Sequence, residues 1–408
     1  MAPDRSATGA GPAGPALAAL VGDVDAFARD HWDRGPLLRR AADLPSGAVT
    51  LGLDDIDELL SERALRVPFV RVTSNGTVTP TSVYTSGAGA GASINDQVRD
   101  TAVAALLAEG QTVVLQGLHR SHAAVRRFTS ALAAELACPV QANAYVTPAR
   151  EQGFDPHYDV HDVFVVQLAG RKRWRVHEPV HRSPLPDQPW TDHREAVKGR
   201  ADEEPLLDVV LEPGDVLYLP RGTVHSARSE DGLSAHLTIG VHPPTLHQIA
   251  RAALDELADD VELRASLPLG TRLDGGSGTE VVRKAMARVL TSLDSVDPQR
   301  VARSVAIDVV TATRPDPIAP LAHAQLLTTL DEHTRVVRRR GLLVVIDEGT
   351  VRLPEQPVAI APEERAAVAL VLDGAPHSAA ELTMLPVEAA VGLVRRLATA
   401  GALVAAAG

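Results

Sequence analysis

Residues 153–179 read GFDPHYDVHDVFVVQLAGRKRWRVHEP, a stretch in which candidate metal ligands lie beside short apolar strands. His157 and Asp159 are two residues apart, so on an extended strand both side chains project from the same face and can reach one ion. Because the chain has 15 histidines, such a pair also arises by chance. A metal site is therefore predicted only if the sequence offers a third ligand in a fitting context.

His225 supplies that third ligand. It follows EPGDVLYLPRGTV (212–224), in which a strand ends in a Pro-Arg-Gly turn and the chain re-enters the sheet. Two histidines and one carboxylate form the facial triad that suits non-haem Fe(II), and they leave positions for a bidentate co-substrate and O2. We predict that His157, Asp159 and His225 bind the metal and form the catalytic centre.

Lys172, in AGRKRWRV, is predicted to lie on the strand that follows, with Arg171 and Arg173 on its opposite face. A lysine inside a barrel is costly unless it meets a buried anion. The distal carboxylate of 2-oxoglutarate would be such an anion. The alternative is a surface lysine that extends its ammonium group into water.

Several polar residues occupy strand positions that are otherwise apolar. Asn143 and Tyr145 share one face upstream of the stretch, and His236 and Thr238 share one face downstream of it. Gln167 lies inside the apolar run VFVVQL. Each residue alone fits a hydrogen-bonded polar group of an ordinary core. Together they favour a site around one ion.

The remaining sequence divides into segments of different texture. Short strands with Gly and Pro turns between about residues 140 and 241 indicate a sandwich or barrel. Helical patterns follow, then a Pro-rich linker and a helix–strand–helix pattern typical of a winged helix. We expect a disordered tail (1–20), an oxygenase-type β domain with N-terminal helices (21–245), a helical module (246–313) and a winged-helix-like domain (314–408).

The Gly-rich segment TSGAGAGASIND (85–96) lacks the G-x-x-x-x-G-K-[ST] pattern of a phosphate loop. We expect a flexible loop that faces the substrate, followed by a helix over 97–109 and a strand over 112–118.

Composition excludes several classes of protein. The only cysteine is Cys138, which rules out an intramolecular disulfide framework and fits a cytoplasmic location. A membrane span needs an apolar run of about 18 residues or more. The sequence has no such run, so no membrane span is predicted. The net charge of −12 argues against broad affinity for nucleic acid.

The block from Asn143 to Val241 resembles the JmjC-type cupin oxygenases, in particular their ribosomal-oxygenase branch. The resemblance rests on NAYVTPAREQGFDPHYDVHDVFVVQLAGRKRWRV and GDVLYLPRGTVH, and HWDRGPLL (31–38) is similar to the branch's entry segment. It implies an α+β fold: a JmjC double-stranded β-helix (cupin or jelly-roll) with N-terminal helices, then a helical dimerisation module and a C-terminal winged-helix-like domain.

The resemblance also implies roles for individual residues. His157, Asp159 and His225 match the iron ligands of the family, and Lys172 matches the basic residue that binds the far carboxylate of 2-oxoglutarate. The cofactors implied are Fe(II), 2-oxoglutarate as co-substrate, and O2. Three further residues match positions that line the co-substrate pocket, and a fourth lies beside them: Asn143, Tyr145 and Thr238, and His236. A homodimer would form through about residues 246–310.

The function implied is hydroxylation of an arginine- or histidine-type side chain in a protein or peptide, with a ribosomal protein as the family's usual substrate. A tailoring hydroxylase of a peptide or amino-acid natural product is the alternative. A non-enzymatic winged-helix regulator that senses a ligand is a further reading, although its recognition helix offers only Arg395 and Arg396 to phosphates. Two features depart from the family where a substrate would enter: Val160–His161, and the polar segment 181–205.

Overall fold

The computed structural model describes residues 15–44, 51–74, 76–87, 89–91, 93–347 and 349–406. The chain separates into two compact units, the first ending at Pro243 and the second beginning at Pro244. The stretch 153–179 and all the predicted site residues belong to the first unit.

The first unit contains thirteen strands and seven α-helices among its described residues. The strands are β1 (Leu37–Arg39), β2 (Val70–Ser74), β3 (Thr77–Val78), β4 (Thr85–Ser86), β5 (Gln97–Val98), β6 (Thr112–Leu115), β7 (Val140–Thr147), β8 (Asp162–Ala169), β9 (Lys172–His177), β10 (Leu207–Leu211), β11 (Val216–Leu219), β12 (Val224–Ser229) and β13 (Ser234–Val241). The helices are α1 (Pro15–Val21), α2 (Val24–Asp30), α3 (Leu53–Ser61), α4 (Asp100–Ala108), α5 (Leu118–Ser121), α6 (Ala123–Leu136) and α7 (Arg194–Ala201), and a 3-10 turn covers Trp190–His193.

Two antiparallel sheets face each other in this unit. The larger sheet has eight strands in the order β1-β11-β8-β13-β7-β6-β2-β3, and the smaller has the order β10-β9-β12. Trp174 and Val176 of the smaller sheet pack against Val163 and Val165 of the larger one, which closes one end of the space between them. A sheet pair of this kind is the core that the repeated short strands predicted.

The larger sheet has an apolar face and a more polar face because side chains alternate along each strand. Its apolar face joins the helices in one buried core, which includes Val72, Val113, Ala144, Phe164 and Leu237 together with Leu20 and Leu132 of the helices. The alternate positions point into the space between the sheets. Polar side chains on four neighbouring strands, β13, β7, β6 and β2, therefore converge on one interior volume.

The turn between β8 and β9 places Lys172 at the start of its strand. Gly170 has a φ of +62°, and a Cβ there would lie 2.1 Å from the carbonyl oxygen of Leu233, so the position requires glycine. The side chain of Gln167 donates to the carbonyl of Ala169 at 2.9 Å and bonds the hydroxyl of Ser234 at 2.8 Å. Gln167 thus holds the turn that precedes Lys172, which explains a polar residue inside an apolar strand.

The prediction of a disordered tail over residues 1–20 is wrong for residues 15–20, which belong to helix α1. Leu17 and Leu20 are buried in the main core, and the backbone N–H groups of Ala16 and Leu17 donate to the carboxylate of Glu135 at 3.0 and 2.8 Å. These contacts satisfy the free N–H groups of the first turn. Residues 1–14 lie outside the described residues.

The helix predicted over 97–109 is shorter than expected. Gln97 and Val98 form strand β5, which pairs with Thr85 and Ser86 of β4, and helix α4 begins only at Asp100. The Gly-rich segment is therefore the connection of a small hairpin, and its predicted role as a substrate-facing loop stays a prediction.

The second unit contains helices α8 (Leu246–Asp255), α9 (Gly276–Leu293), α10 (Pro298–Ala312), α11 (Pro320–Thr329), α12 (Arg365–Val371) and α13 (Val387–Thr399). Its strands are β14 (Val336–Arg338), β15 (Val345–Asp347), β16 (Thr350–Arg352), β17 (Val358–Ala359) and β18 (Leu403–Ala405). β14 pairs with β18, and β15, β16 and β17 form a second small sheet. Helices α11, α12 and α13 and both small sheets contribute to one apolar core. Across the described residues, every helix is too short or too polar to cross a lipid bilayer.

Helix α13 corresponds to the recognition helix of the regulator reading. Its Arg395 guanidinium donates to the backbone carbonyl of Leu330 at 2.8 Å, and Arg396 pairs with the carboxylate of Glu364 at 2.6 Å. Both arginines are therefore used within the unit, which weakens the case for phosphate contacts.

Candidate metal centre

His157 and His225 are held side by side by their own backbone. The N–H of His157 donates to the carbonyl of His225 at 3.1 Å, and the N–H of His225 donates to the carbonyl of His157 at 2.8 Å. The two imidazole rings lie 4.5 Å apart. This reciprocal pair joins the segment before β8 to the start of β12, so two residues 68 positions apart share one site.

Asp159 completes the group. Its carbonyl accepts a hydrogen bond at 2.9 Å from the N–H of Gly222, which has a φ of +85° in the Pro-Arg-Gly turn before His225. Tyr158 between the two ligands points the other way and is buried, so alternation holds at this point of the chain. One ligand atom from each of His157, Asp159 and His225 lies within 4.8 Å of the others.

Backbone carbonyls set the tautomer of both histidines. Nδ1 of His157 lies 2.7 Å from the carbonyl oxygen of Asp155, and Nδ1 of His225 lies 3.0 Å from that of Thr223. A carbonyl oxygen only accepts, so both Nδ1 atoms carry the proton and both Nε2 atoms offer a lone pair. Nε2 of His225 lies 3.7 Å from Oδ2 of Asp159, across the space that an ion would fill.

The protonation states agree with this arrangement. Burial, and after it the neighbouring His157, lower the pKa of His225 to about 4. Burial alone would raise the pKa of Asp159, but the surrounding imidazoles, His161 first and then His157 and His225, hold it below its usual value. A neutral imidazole at His225 and an ionised carboxylate at Asp159 are the forms that bind a divalent cation.

The three side chains line a cavity of about 280 Å³ between the two sheets. All five of the other predicted site residues line the same cavity: Asn143, Tyr145, Lys172, His236 and Thr238. The structure thus brings together every residue that the sequence nominated.

Lys172 is buried to 3% exposure at one end of the cavity. Its Nζ donates to Oγ1 of Thr147 at 3.0 Å, and Thr147 is in turn bonded to the hydroxyl of Thr112 at 3.2 Å. No carboxylate of the described residues forms an ion pair with this ammonium group, and burial lowers the pKa of Lys172 to about 7. A buried cation without an anion marks a place for one.

Tyr145 and His236 line the cavity between Lys172 and the metal ligands. Their rings are stacked, with centroids 4.8 Å apart and planes within 3°. Burial keeps the pKa of His236 well below its ordinary value and raises the pKa of Tyr145 to about 12, so both side chains are neutral. Nδ1 of His236 is buried without a hydrogen-bond partner.

Asn143 has a different part in the site. Its Oδ1 accepts a hydrogen bond at 2.9 Å from the N–H of Gly117, which ties β7 to the start of α5. Thr238 pairs with Asn143 in register on the neighbouring strand, and both side chains face the cavity. Their positions fit the pocket-lining role that the resemblance implied, which stays a prediction.

Several residues that line the cavity were missed in the sequence. Four of them come from separate segments: Arg71, Phe154, Trp174 and Trp190. The chain has few aromatic residues, and this scarcity was the only sequence signal for the three that are aromatic. His161, which was not among the predicted site residues, also lines the cavity. It lies two residues beyond Asp159 and four beyond His157, so the spacing that relates those two ligands extends to it and could have identified it.

The model of one protein family, described as the JmjC domain, matches residues 118–249. This part of the chain is similar to the JmjC domain. The match covers β7 to β13 and both segments that carry the candidate metal ligands, and it confirms the resemblance that the sequence motifs gave.

Two curated proteins show the same relationship over a longer stretch. Ribosomal oxygenase 1 of Gallus gallus is 34% identical over 251 residues, which cover 60% of this chain and 40% of that protein. The bifunctional lysine-specific demethylase and histidyl-hydroxylase NO66 of Drosophila erecta is 31% identical over 259 residues, which cover 61% of this chain and 37% of that protein. The chain spans about two fifths of the length of these relatives.

A solved structure extends the likeness to nearly the whole chain. The ribosomal oxygenase YcfD of Escherichia coli superposes with a TM-score of 0.54 at 17% identity, over 94% of this chain and 98% of that one. The likeness confirms the fold predicted from the sequence, in which a JmjC double-stranded β-helix carries N-terminal helices.

Proposed function

We propose that this protein is an Fe(II)- and 2-oxoglutarate-dependent oxygenase that hydroxylates an amino-acid side chain in a protein or peptide. One observation carries the proposal: a two-histidine, one-carboxylate group and a buried lysine without an anion line the same cavity. The names of the relatives support it, because they include ribosomal oxygenases and a histidyl-hydroxylase. YcfD has been solved with cobalt and 2-oxoglutarate.

The donor set fits Fe(II). Two imidazole nitrogens and one carboxylate oxygen form the facial triad of non-haem iron oxygenases, which leaves positions open for a co-substrate and O2. His157, Asp159 and His225 would hold the ion. When bound, Fe(II) supplies the redox chemistry by which O2 and 2-oxoglutarate give succinate, CO2 and one oxygen atom inserted into a C–H bond of the substrate.

The cavity also fits 2-oxoglutarate. Its far carboxylate would meet the Lys172 ammonium group, which has Thr147 as its only hydrogen-bond partner among the described residues. The neutral Tyr145 and His236 line the path from Lys172 towards the metal ligands and add no competing charge. A site that buries a single lysine therefore selects a dicarboxylate over a monocarboxylate.

Substituting Thr147 with valine tests this subsite. The change keeps the shape of the side chain but removes the acceptor of the Lys172 ammonium group, so the cation is less well held. We expect 2-oxoglutarate to bind about fivefold more weakly, in line with the loss of one hydrogen bond to a charged group. Isothermal titration of the Co(II)-loaded protein measures the affinity.

Thr129→Val is the matched control, because Thr129 is a buried threonine of α6 whose hydroxyl bonds only backbone carbonyls outside the cavity. Equal affinities of the two variants would contradict the proposed anchor.

The opening of the cavity limits water around the metal ligands. Trp190, on the 3-10 turn, lies 6.3 Å from the ring of His157, and the guanidinium of Arg194 stacks on its indole at 4.9 Å. The ring of Phe154 covers the other side of His157 at 6.0 Å. The polar segment 181–205, in which the sequence departs from the family, therefore contributes Trp190 to the entrance of the cavity, where a substrate would pass.

A ribosomal protein is the substrate class that we propose, with an arginine- or histidine-type target. The support is the names of the relatives, of which the chain covers about two fifths. Purified protein with Fe(II), 2-oxoglutarate and O2 should release succinate in the presence of ribosomal-protein peptides. Mass spectrometry should find one added oxygen atom in the peptide, and succinate release that no peptide stimulates would contradict the assignment.

We further propose that the second unit divides after residue 313 into a helical module and a winged-helix-like domain, as the sequence predicts. The helical module would form a homodimer through about residues 246–310. Helix α9 supports this part, because its apolar side chains Val282, Met286 and Leu290 form one stripe and are 45%, 61% and 67% exposed. A second copy of the chain is the occupant that we propose for this stripe.

The double substitution Met286→Glu and Leu290→Glu should convert the dimer into a monomer. Two carboxylates in an apolar interface raise the dissociation constant by about a hundredfold or more, because each loses its hydration. Light scattering after size-exclusion chromatography measures the mass. Lys284→Glu changes the charge on the opposite side of α9 and should leave the mass of a dimer; a dimer that survives the double substitution would refute the proposed interface.

A further inference from the structure

Arg71 is a second cationic side chain that lines the cavity. It lies on β2, where Val70 and Val72 on either side of it belong to the buried core, so alternation points Arg71 to the interior. Arg71 pairs in register with Val114 on β6, and Val114 pairs with Tyr145 on β7. Arg71 therefore lies in the same row across the sheet as Tyr145.

The guanidinium of Arg71 has no polar partner in the part of the chain that the structure describes. Its Nε is buried and forms no hydrogen bond, and no carboxylate of these residues pairs with it. The guanidinium stacks on the ring of Phe154, whose centroid lies 5.3 Å from the guanidinium carbon. A guanidinium has five N–H donors, and leaving them unused in a half-buried position is costly unless a ligand meets them.

The position of Arg71 differs from that of Lys172. Lys172 bonds Thr147, whereas Arg71 shares a row with Tyr145, two residues along β7 towards the metal ligands. Phe154, on which Arg71 stacks, lies beside His157. Lys172 already matches the far carboxylate of 2-oxoglutarate, so Arg71 is available to a group that enters beside the metal.

The charges of the cavity restrict that group. Asp159 is the one acidic side chain among the described residues that line the cavity, and as a metal ligand its charge is already used. A cationic target side chain would thus meet Arg71 with no carboxylate to offset the repulsion, whereas an oxygen or nitrogen acceptor would satisfy the unused donors.

We propose that Arg71 is a specificity-determining residue that hydrogen-bonds the target side chain of the substrate. The site accepts a side chain that offers a hydrogen-bond acceptor and carries no positive charge, and it rejects arginine and lysine. This inference rests on the proposed function, and within it the arginine-type target is excluded.

Host–guest peptides test the proposal. The full-length chain is loaded with Mn(II) and 2-oxoglutarate without O2, and the pentapeptides acetyl-Gly-Ser-X-Ser-Gly-amide are titrated at a pH where histidine is neutral. X is Asn, Asp, His, Arg or Lys. Tryptophan fluorescence reports binding, because Trp174 and Trp190 line the cavity. The wild-type protein should bind the Asn, Asp and His peptides about tenfold more tightly than the Arg and Lys peptides.

Two variants of Arg71 separate recognition from folding. Arg71→Gln should reduce the preference to about twofold or less, and Arg71→Glu should reverse it, so that the Arg and Lys peptides bind about tenfold more tightly. A misfolded protein gives no such reversal. The control is Arg173→Gln, at an arginine of β9 that is exposed and pairs with Asp208, and it should behave as the wild type.

Three outcomes would overturn the proposal: a wild-type protein without the preference, a wild-type protein that binds none of the peptides, or an unchanged preference in Arg71→Gln. Titration of 2-oxoglutarate into the same samples keeps the two hypotheses apart. A wild-type protein that fails to bind 2-oxoglutarate contradicts the proposed function, whereas normal 2-oxoglutarate binding without peptide discrimination contradicts only the role of Arg71.

Discussion

Substituting Lys172 with alanine is expected to weaken 2-oxoglutarate binding by about a hundredfold while the metal still binds. The ammonium group is buried, and Lys172 pairs in register with Ser229, four residues along β12 from His225. Its removal leaves the far carboxylate of the co-substrate desolvated and unpaired, which costs about 3 kcal/mol. Titration of 2-oxoglutarate into the Co(II)-loaded variant, followed by the visible absorbance of the ion, measures both affinities.

The control for this variant is Lys198→Ala, because Lys198 is exposed on helix α7. It should bind metal and 2-oxoglutarate as the wild type does. A Lys172→Ala protein with unchanged affinity for 2-oxoglutarate would remove the co-substrate assignment, and one that also loses Co(II) would point to a damaged fold.

Lys172 is also expected to make the ligand-free protein less stable than a variant with an apolar side chain at this position. Burial lowers the pKa of Lys172 from 10.5 to about 7, so Lys172→Met is expected to raise the free energy of unfolding by about 3–5 kcal/mol at acidic pH. Between pH 7 and 10.5 the unfolded chain binds more protons than the folded one, and the wild type gains stability as the pH rises. The advantage of the methionine variant should therefore be largest below pH 7 and shrink above it. Urea unfolding across this range measures it.

Substituting His225 with alanine should reduce the affinity for Mn(II) or Co(II) by a factor of about a hundred or more. The variant removes one of three protein ligands and leaves the carboxylate of Asp159 with a single imidazole partner in the group. Loss of a ligand from a triad also removes the enforced facial geometry. Anaerobic isothermal titration measures the metal affinity, and succinate release with Fe(II) should disappear.

His333→Ala serves as the control, since that histidine is 78% exposed in the second unit. It should bind the metal normally. Persistence of metal binding and succinate release in His225→Ala would show that another group holds the ion, and the triad assignment would then be wrong.

Much of the site followed from local sequence because strands impose a period of two. The separation of Lys172 from Arg173 and the polar positions of β7 and β13 are consequences of that period. The structure buries Lys172 and leaves the Arg173 side chain 53% exposed, as alternation requires.

The prediction failed where the chain leaves regular structure or where distant segments meet. His161 was not predicted as a site residue, yet it lines the cavity from a segment, 158–161, that forms no strand. Helix α1 forms because Glu135, more than a hundred residues away, binds its first N–H groups. The pairing of Gln97 with Ser86 replaces the first turn of a predicted helix by a strand. Neither of the last two contacts leaves a periodic signal in the sequence.

The sequence by itself predicted the three candidate metal ligands, the lysine that lines the same cavity and the β-rich fold, because ligand chemistry and strand alternation are local properties. Only the tertiary structure decided what else shares the cavity. Arg71, Thr112 and Trp190 line it from β2, from the neighbouring strand β6 and from a 3-10 turn, which are far apart in the chain. Their roles depend on the register of strand pairs that are distant in sequence and on which charged groups lie close together. Both are decided by the packing of the two sheets against each other.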